Sequence, residues 1–152
     1  MQAKENLLGY SLESLESFFS KINEPKFRAK QLLKWIHQKG VLDFNLMTDL
    51  NKDLRAKLNS IAYIKPPIIH EEHVSKEGTI KYLVALESGS MIEMVEIPEK
   101  NRRTLCVSSQ AGCALQCTFC ATGAQGFDQN LESHEIIGQL WLSNFHRKYN
   151  QP

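Results

Sequence analysis

The fold of this chain is organised around the stretch Cys113-Ala114-Leu115-Gln116-Cys117-Thr118-Phe119-Cys120. Its cysteines are separated by three and then two residues, so one short loop can direct three sulfur atoms at a single centre. Thiolates are the usual protein ligands of iron–sulfur clusters. Because a cubane cluster has four irons, three protein ligands leave one iron free to bind another molecule. The spacing therefore predicts a [4Fe–4S] cluster held by Cys113, Cys117 and Cys120.

Two other interpretations of these cysteines stay open. A structural zinc site would need a fourth ligand, and Cys106 or His134 could supply it. Zinc ligands usually come as two separated pairs, however, and not as one tight triplet. A disulfide within the triplet would leave an odd thiol and would be typical of a secreted protein.

The composition is that of a globular protein that does not enter a membrane. The chain has 152 residues, of which 42% are hydrophobic and 23% charged, enough for one ordinary domain or two small ones. No apolar run approaches the ~20 residues of a membrane span, and the first residues lack the apolar core of a signal peptide. We therefore expect a cytoplasmic monomer without a membrane partner, in a compartment that keeps thiols reduced.

The charge is distributed unevenly along the chain. Residues 1–66 carry 11 Lys and Arg against 7 Asp and Glu, whereas residues 67–152 carry 7 against 10. The first part is thus +4 and the second −3, which sum to the net charge of +1. This asymmetry indicates two modules, of which the first faces an anionic partner. The alternative is ordinary surface charge, which a charge of +4 alone does not exclude.

Apolar residues at helical spacing predict three helices in residues 1–66. They run from Leu12 to about Ile22 with Ser11 as cap, from Pro25 to Gly40, and from about Asn51 to Ile61. The side chains expected inside are Leu12, Leu15, Phe18, Phe19, Ile22, Phe27, Leu32, Trp35, Ile36, Leu50, Leu54, Leu58 and Ile61. Lys26, Lys30 and Lys34 lie four apart, which predicts a basic stripe. The stripe either contacts phosphates or is simply a solvated face of the helix.

After Pro66-Pro67 the apolar pattern changes to alternation, which predicts strands. The predicted strands are residues 68–74, 79–86, 91–97 and 104–108, and a helix follows from a Ser133 cap to about Tyr149. The residues of this helix expected inside are Ile136, Ile137, Leu140, Trp141 and Phe145. We predict a mixed fold, α+β passing into α/β, with three parts. These are a helical accessory domain (1–66), antiparallel strands (67–100) and the start of a strand–loop–helix core that carries the cysteine loop (101–152).

Two residues on the predicted strands are candidates for catalysis. Alternation places Glu93 on an otherwise apolar face with Met91 and Val95, where a partly desolvated carboxylate would be a stronger base. Glu96 has apolar neighbours on the opposite face, so periodicity does not separate the two acids. The alternative is that both are edge-strand charges that prevent pairing between sheets. Cys106 lies on the strand that enters the cysteine loop, with a buried structural thiol as the alternative.

Several stretches resemble the radical S-adenosylmethionine (SAM) adenosine methyltransferases of RNA. The similarity is closest to the branch that methylates carbon 2 of an adenosine in 23S rRNA and in tRNA. The matching stretches are Glu93-Met94-Val95-Glu96-Ile97-Pro98-Glu99, Thr104-Leu105-Cys106-Val107-Ser108-Ser109-Gln110, Gly112-Cys113, Gln125-Gly126-Phe127, Asn130-Leu131, Phe27-Arg28-Ala29-Lys30-Gln31-Leu32, Met47-Thr48-Asp49-Leu50-Asn51-Lys52 and Glu77-Gly78-Thr79-Ile80-Lys81.

The resemblance implies roles for individual residues. The cysteine triplet would hold the [4Fe–4S] cluster that binds S-adenosyl-L-methionine, and Phe119 would pack near the SAM adenine. Glu93 matches the family's proton acceptor. Cys106 matches the cysteine that resolves the covalent protein–RNA link by forming a transient disulfide. The implied partners are 23S rRNA, tRNA and an electron donor such as flavodoxin.

The same resemblance predicts that this chain is an amino-terminal fragment. A (βα) barrel of this family needs about six β/α units, and one is predicted here. The methyl-carrying cysteine and the other SAM contacts are expected beyond Pro152, so we expect no methyl transfer by the chain alone. Two alternatives are a sister enzyme that methylates carbon 8 of the adenosine and a non-enzymatic RNA-binding or zinc module.

Overall fold

The computed structural model describes residues 3–112 and 126–149, with side chains as far as His146. The cluster stretch, including Cys113, Cys117, Phe119 and Cys120, lies outside the described residues. The chain divides into two compact units, residues 1–66 and 67–152.

Unit 1 is mainly helical. Its elements are β1 (Glu5–Asn6), α1 (Leu12–Lys21), α2 (Phe27–Leu33) with a π-helical continuation (Lys34–Gln38), α3 (Lys52–Ile61) and β2 (Ala62–Tyr63), with short 3-10 turns at Leu7–Gly9 and Phe44–Leu46. The two short strands form a parallel pair that brings the start and end of the unit together. The three predicted helices are therefore confirmed, with ends within a few residues of those expected.

Side-chain caps fix where two of these helices begin. Ser11 Oγ accepts a hydrogen bond from the Ser14 amide at 3.1 Å, and Asn51 Oδ1 accepts one from the Leu54 amide at 2.7 Å. Each cap satisfies one of the amide groups that the first turn of a helix leaves unpaired. Gly40, with a φ of 73°, follows the second helical segment, as expected for a glycine after a helix end.

The core of unit 1 contains most of the predicted apolar residues. Those that are buried are Leu15, Phe18, Phe19, Leu32, Trp35, Ile36, Leu50, Leu54 and Leu58. The prediction was wrong for Phe27 and Leu12, which are 55% and 37% exposed. Both lie at the first position of a helix, where the chain has not yet reached the packed interior. Ile22 and Ile61 are half-buried.

Unit 2 contains a four-stranded antiparallel sheet, a two-stranded ribbon and a long helix. The sheet has the order β3 (Ile68–Val74), β4 (Ile80–Ala85), β5 (Met91–Pro98) and β6 (Arg103–Cys106). The ribbon pairs β7 (Gln110–Gly112) with β8 (Phe127–Asn130), and α4 spans Ser133–Tyr149. The predicted mixture of helices and small antiparallel sheets is confirmed.

One face of the four-stranded sheet packs against α4. Ser143 Oγ on the helix donates to Glu96 Oε2 on β5 at 2.8 Å, and the His146 ring meets the Tyr82 ring edge to face at 6.5 Å. Apolar residues from both elements fill the space between them: Ile80, Tyr82, Val84, Ile92 and Met94 from the sheet, and Trp141, Leu142 and Phe145 from the helix. The opposite face of the sheet is open over much of its area.

The predicted inner face of α4 was only partly right. Trp141 and Phe145 are buried, whereas Ile137 and Leu140 are 37% and 49% exposed. Two polar residues, Glu135 and Gln139, are buried instead. Both buried polar side chains have backbone partners, because Glu135 accepts from the Glu132 amide and Gln139 bonds the Ser108 backbone.

The strand predicted at residues 104–108 is also shorter than expected. It ends at Cys106 because the next backbone groups are bonded elsewhere. Gln139 Oε1 accepts from the Ser108 amide at 2.9 Å, and Gln139 Nε2 donates to the Ser108 carbonyl at 2.8 Å. A side chain thus replaces the neighbouring strand at this residue. Ser133 is the first residue of α4 rather than its cap, and the Glu135 carboxylate accepts from the Glu132 amide at 2.8 Å.

Candidate functional site

The open face of the sheet contains a cleft of about 370 Å³ in unit 2. The register of three strands places the residues that line this cleft side by side. Lys81 lies opposite Val95, and Val95 lies opposite Cys106. Directly opposed residues of an antiparallel pair project to the same face. Glu93, two residues before Val95, shares that face and also lines the cleft. The structure thus brings Glu93 and Cys106, predicted separately, to one cavity.

Glu93 is an exposed carboxylate in an ion pair. Lys81 Nζ lies 2.6 Å from Glu93 Oε1, and the two side chains are 51% and 50% exposed. The predicted desolvation of Glu93 was therefore wrong. The buried acid of this strand is Glu96, which is 4% exposed and bonded to Arg103 Nη1 at 2.7 Å. Both faces of the strand carry apolar residues, so alternation could not tell which face α4 covers.

Cys106 is an exposed free thiol, so the alternative of a buried structural cysteine is wrong. The thiol sits at the end of β6 on the wall of the cleft. An accessible thiol beside an open cavity can react with a sulfur brought to it, which a buried thiol cannot.

Ser108 and Gln139 support the cleft, and sequence reasoning missed both. Ser108 Oγ donates to the Glu93 carbonyl at 2.7 Å. The fully buried Gln139 side chain bonds both the amide and the carbonyl of Ser108. The helix α4 is thereby bonded to the chain that follows Cys106 and, through it, to the backbone of Glu93. No period or motif signals such a link. Lys81 was also missed, although the register of two predicted strands would have placed it there.

The ribbon of β7 and β8 closes the base of the loop that carries the cysteine triplet. Gly112 has a φ of 71°, and a Cβ on it would lie 1.8 Å from the Gly126 carbonyl oxygen. Gly112 therefore lies so close to Gly126 that only glycine fits at position 112. These two described residues flank residues 113–125, which contain the cysteine triplet in the sequence.

In unit 1, three lysines form an exposed basic surface on α2 and its flanks. Lys26, Lys30 and Lys34 are all exposed, as the predicted stripe requires; we call these three residues the lysine face. Among the described side chains, the recorded ion pairs do not involve these three lysines. They are available to contact phosphates.

Comparison with known proteins shows which family model and which relatives this chain resembles. Residues 5–64 match the family model "Ribosomal RNA large subunit methyltransferase N-terminal domain". A protein from Pseudomonas putida, "Dual-specificity RNA methyltransferase RlmN", is 53% identical over 141 residues, which is 93% of this chain and 37% of that protein. Its namesake from Pseudomonas entomophila is 54% identical over the same share. Over 93% of its length the chain is thus similar to RNA methyltransferases named RlmN, and residues 5–64 match the amino-terminal domain model of that family.

The structural comparison agrees with this family. A radical SAM methyltransferase from Sphaerobacter thermophilus, known from a crystal structure, matches with a TM-score of 0.84 and 34% identity. The match covers 97% of this chain and 44% of the other. The chain thus spans little more than a third of the length of its RlmN relatives. In the part that the structure describes, no helix is both long and apolar enough to cross a bilayer.

Proposed function

We propose that this chain is part of a radical SAM methyltransferase that adds a methyl group to carbon 2 of an adenosine in 23S rRNA and tRNA. The observation that carries the proposal is the 53% identity to dual-specificity RNA methyltransferases over 93% of the chain. The position of Glu93 and Cys106 on one cleft supports the proposal. The base that removes the proton and the thiol that attacks the covalent adduct must both reach the same bound nucleotide.

Cys113, Cys117 and Cys120 would hold the [4Fe–4S] cluster, and Phe119 would pack near the adenine of S-adenosyl-L-methionine. When bound, cluster and SAM supply the methyl group and the radical chemistry that carbon 2 of adenine requires. The donor set fits, because three thiolates within eight residues of the sequence leave one iron of a four-iron cluster open. An electron donor such as flavodoxin would reduce the cluster.

The residues of the cleft would act after the methyl carbon has joined the ring. The Glu93 carboxylate would take the proton from carbon 2. The Cys106 thiolate would attack the sulfur of the methyl-carrying cysteine, so that an S–S bond forms as the S–C bond to the RNA breaks. The electron pair of that S–C bond stays with the methylene carbon, which takes a proton to become the methyl group of the product. A thiol reductant would then restore both cysteines. This chemistry needs a reducing compartment such as the cytoplasm.

Residues 1–66 would be the accessory domain that binds RNA. Their charge of +4 and the exposed lysine face are complementary to the phosphates of both substrates. Residues 67–100 would link this domain to a radical SAM core that begins at residue 101 and works as a monomer.

The test is anaerobic methylation of a 23S rRNA fragment and of tRNA by the full-length protein, followed by mass spectrometry of the nucleosides. We expect 2-methyladenosine from the wild type and none from Glu93→Gln, with Glu77→Gln in an exposed turn as the matched control. Cys106→Ala should accumulate a covalent protein–RNA adduct. Methylation at carbon 8 would favour the sister activity, and zinc with no methylation would favour the non-enzymatic module.

A further inference from the structure

Phe27 is the most exposed apolar residue of α2. Its side chain is 55% exposed, whereas Ala29 and Leu32 on the same helix are fully buried. A single exposed hydrophobic residue is ordinary on a protein surface. The surroundings of Phe27 make it worth explaining.

Phe27 lies beside the lysine face. Lys30 and Lys34 follow it by three and seven residues, the spacing that places side chains on one side of a helix, and Lys26 directly precedes it. An exposed aromatic ring among cations on one surface is the combination that proteins use for unpaired nucleic acid. Lysines hold the phosphates, and bases stack on the ring.

The ring of Phe27 is also held in place. The guanidinium carbon of Arg28 lies 4.8 Å from the ring centroid. Arg28 Nη1 in turn donates to Gln31 Oε1 at 2.8 Å and to the Asp49 carbonyl at 3.3 Å. Because the guanidinium is fixed by two acceptors and covers part of the ring, a partner that stacks on the exposed part meets a preorganised surface.

We infer that Phe27 is a stacking platform for an unpaired base of the RNA substrate, with the lysine face binding the phosphates beside it. The inference rests on the proposed function, which makes RNA the partner. It adds that unit 1 recognises a loop or another single-stranded element rather than a plain duplex. Stacking tolerates any base, because every base has a π-face, so one platform can serve two different RNAs.

The test measures binding of this 152-residue chain to two RNA probes of equal length by fluorescence anisotropy. One probe is a hairpin with an unpaired loop, and the other is a blunt duplex. The variants are Phe27→Ala, Phe27→Trp, a triple Gln variant of the lysine face, and Leu46→Ala. Leu46, 61% exposed in unit 1, is the control for losing an exposed apolar side chain. Circular dichroism checks that each variant folds.

We expect Phe27→Ala to weaken hairpin binding roughly tenfold and to leave duplex binding unchanged, while Phe27→Trp and Leu46→Ala bind like the wild type. The lysine variant should weaken both probes and reduce the salt dependence. Equal binding of Phe27→Ala and wild type to the hairpin would overturn the inference alone. Failure of the wild type to bind either RNA would overturn the proposed RNA partner as well.

Discussion

At the residue scale, Glu93 and Glu96 show how position on one strand decides the environment of a carboxylate. The two acids lie three residues apart and therefore on opposite faces. Glu96 is enclosed by α4 and bonded to Arg103 and Ser143, whereas Glu93 faces the cleft with Lys81. The sequence predicted that Glu93 stands apart from its strand, but could not predict which face the helix would cover.

This difference predicts unequal effects on stability. Glu96→Gln replaces a buried charged partner of Arg103 and Ser143, so the free energy of unfolding should fall by about 1–3 kcal/mol. Glu93→Gln removes a half-exposed ion pair and should change it by less than about 1 kcal/mol. Urea denaturation of the two variants measures both values. An equal loss in the two variants would contradict the assigned environments.

His37 predicts a pH dependence of unit 1. Burial lowers the pKa of His37, partly offset by a hydrogen bond to the Leu8 backbone. Below its ordinary pKa of about 6.5, the unfolded chain binds a proton that the folded chain does not yet accept, so stability falls as the pH decreases. The melting temperature between pH 5 and 8 should therefore depend less on pH in His37→Gln. His73→Gln, at an exposed histidine, is the control, and the same slope in both variants would refute the prediction.

At the element scale, the sequence predicted the helices and the four strands of the larger sheet to within a few residues, because alternation and helical spacing are local properties. It did not predict the short strands β1, β2, β7 and β8. It failed where a side chain substitutes for backbone pairing. Gln139, a polar residue on the buried side of α4, bonds the Ser108 backbone just after β6 ends. That bond joins residues 31 positions apart, which no local pattern can reveal.

The ribbon at the base of the cysteine loop gives an element-scale prediction with a matched control. Gly112 and Gly89 both have a positive φ, of 71° and 93°. A Cβ at Gly89 meets nothing within 4 Å, whereas one at Gly112 would lie 1.8 Å from the Gly126 oxygen. Gly89→Ala should cost about 1 kcal/mol from backbone strain alone.

Gly112→Ala should cost clearly more than Gly89→Ala and should also lower the iron bound after anaerobic reconstitution, because the two ends of the loop can no longer meet. Chemical denaturation and iron analysis measure the two effects. Full iron loading of Gly112→Ala would show that closure of the ribbon is not needed for the cluster.

At the scale of the whole molecule, the two units differ in charge. The family model ends at residue 64. The boundary between the two compact units falls between Pro66 and Pro67. The spacing of apolar residues changes from helical to alternating at this boundary, and the net charge changes sign there. These two changes made the division into two units predictable from the sequence. The cleft was less predictable, because it depends on the register of three strands, and register is set by pairs far apart in the chain.

The central claim is that three of the four cysteines hold an iron–sulfur cluster and that the fourth, Cys106, remains a free thiol. Iron and acid-labile sulfide, counted per chain after anaerobic reconstitution, test it most directly in the wild type, Cys117→Ala and Cys106→Ala. We predict about four of each in the wild type and in Cys106→Ala, and a loss in Cys117→Ala. Stoichiometric zinc in the wild type, or a cluster lost with Cys106, would contradict the claim.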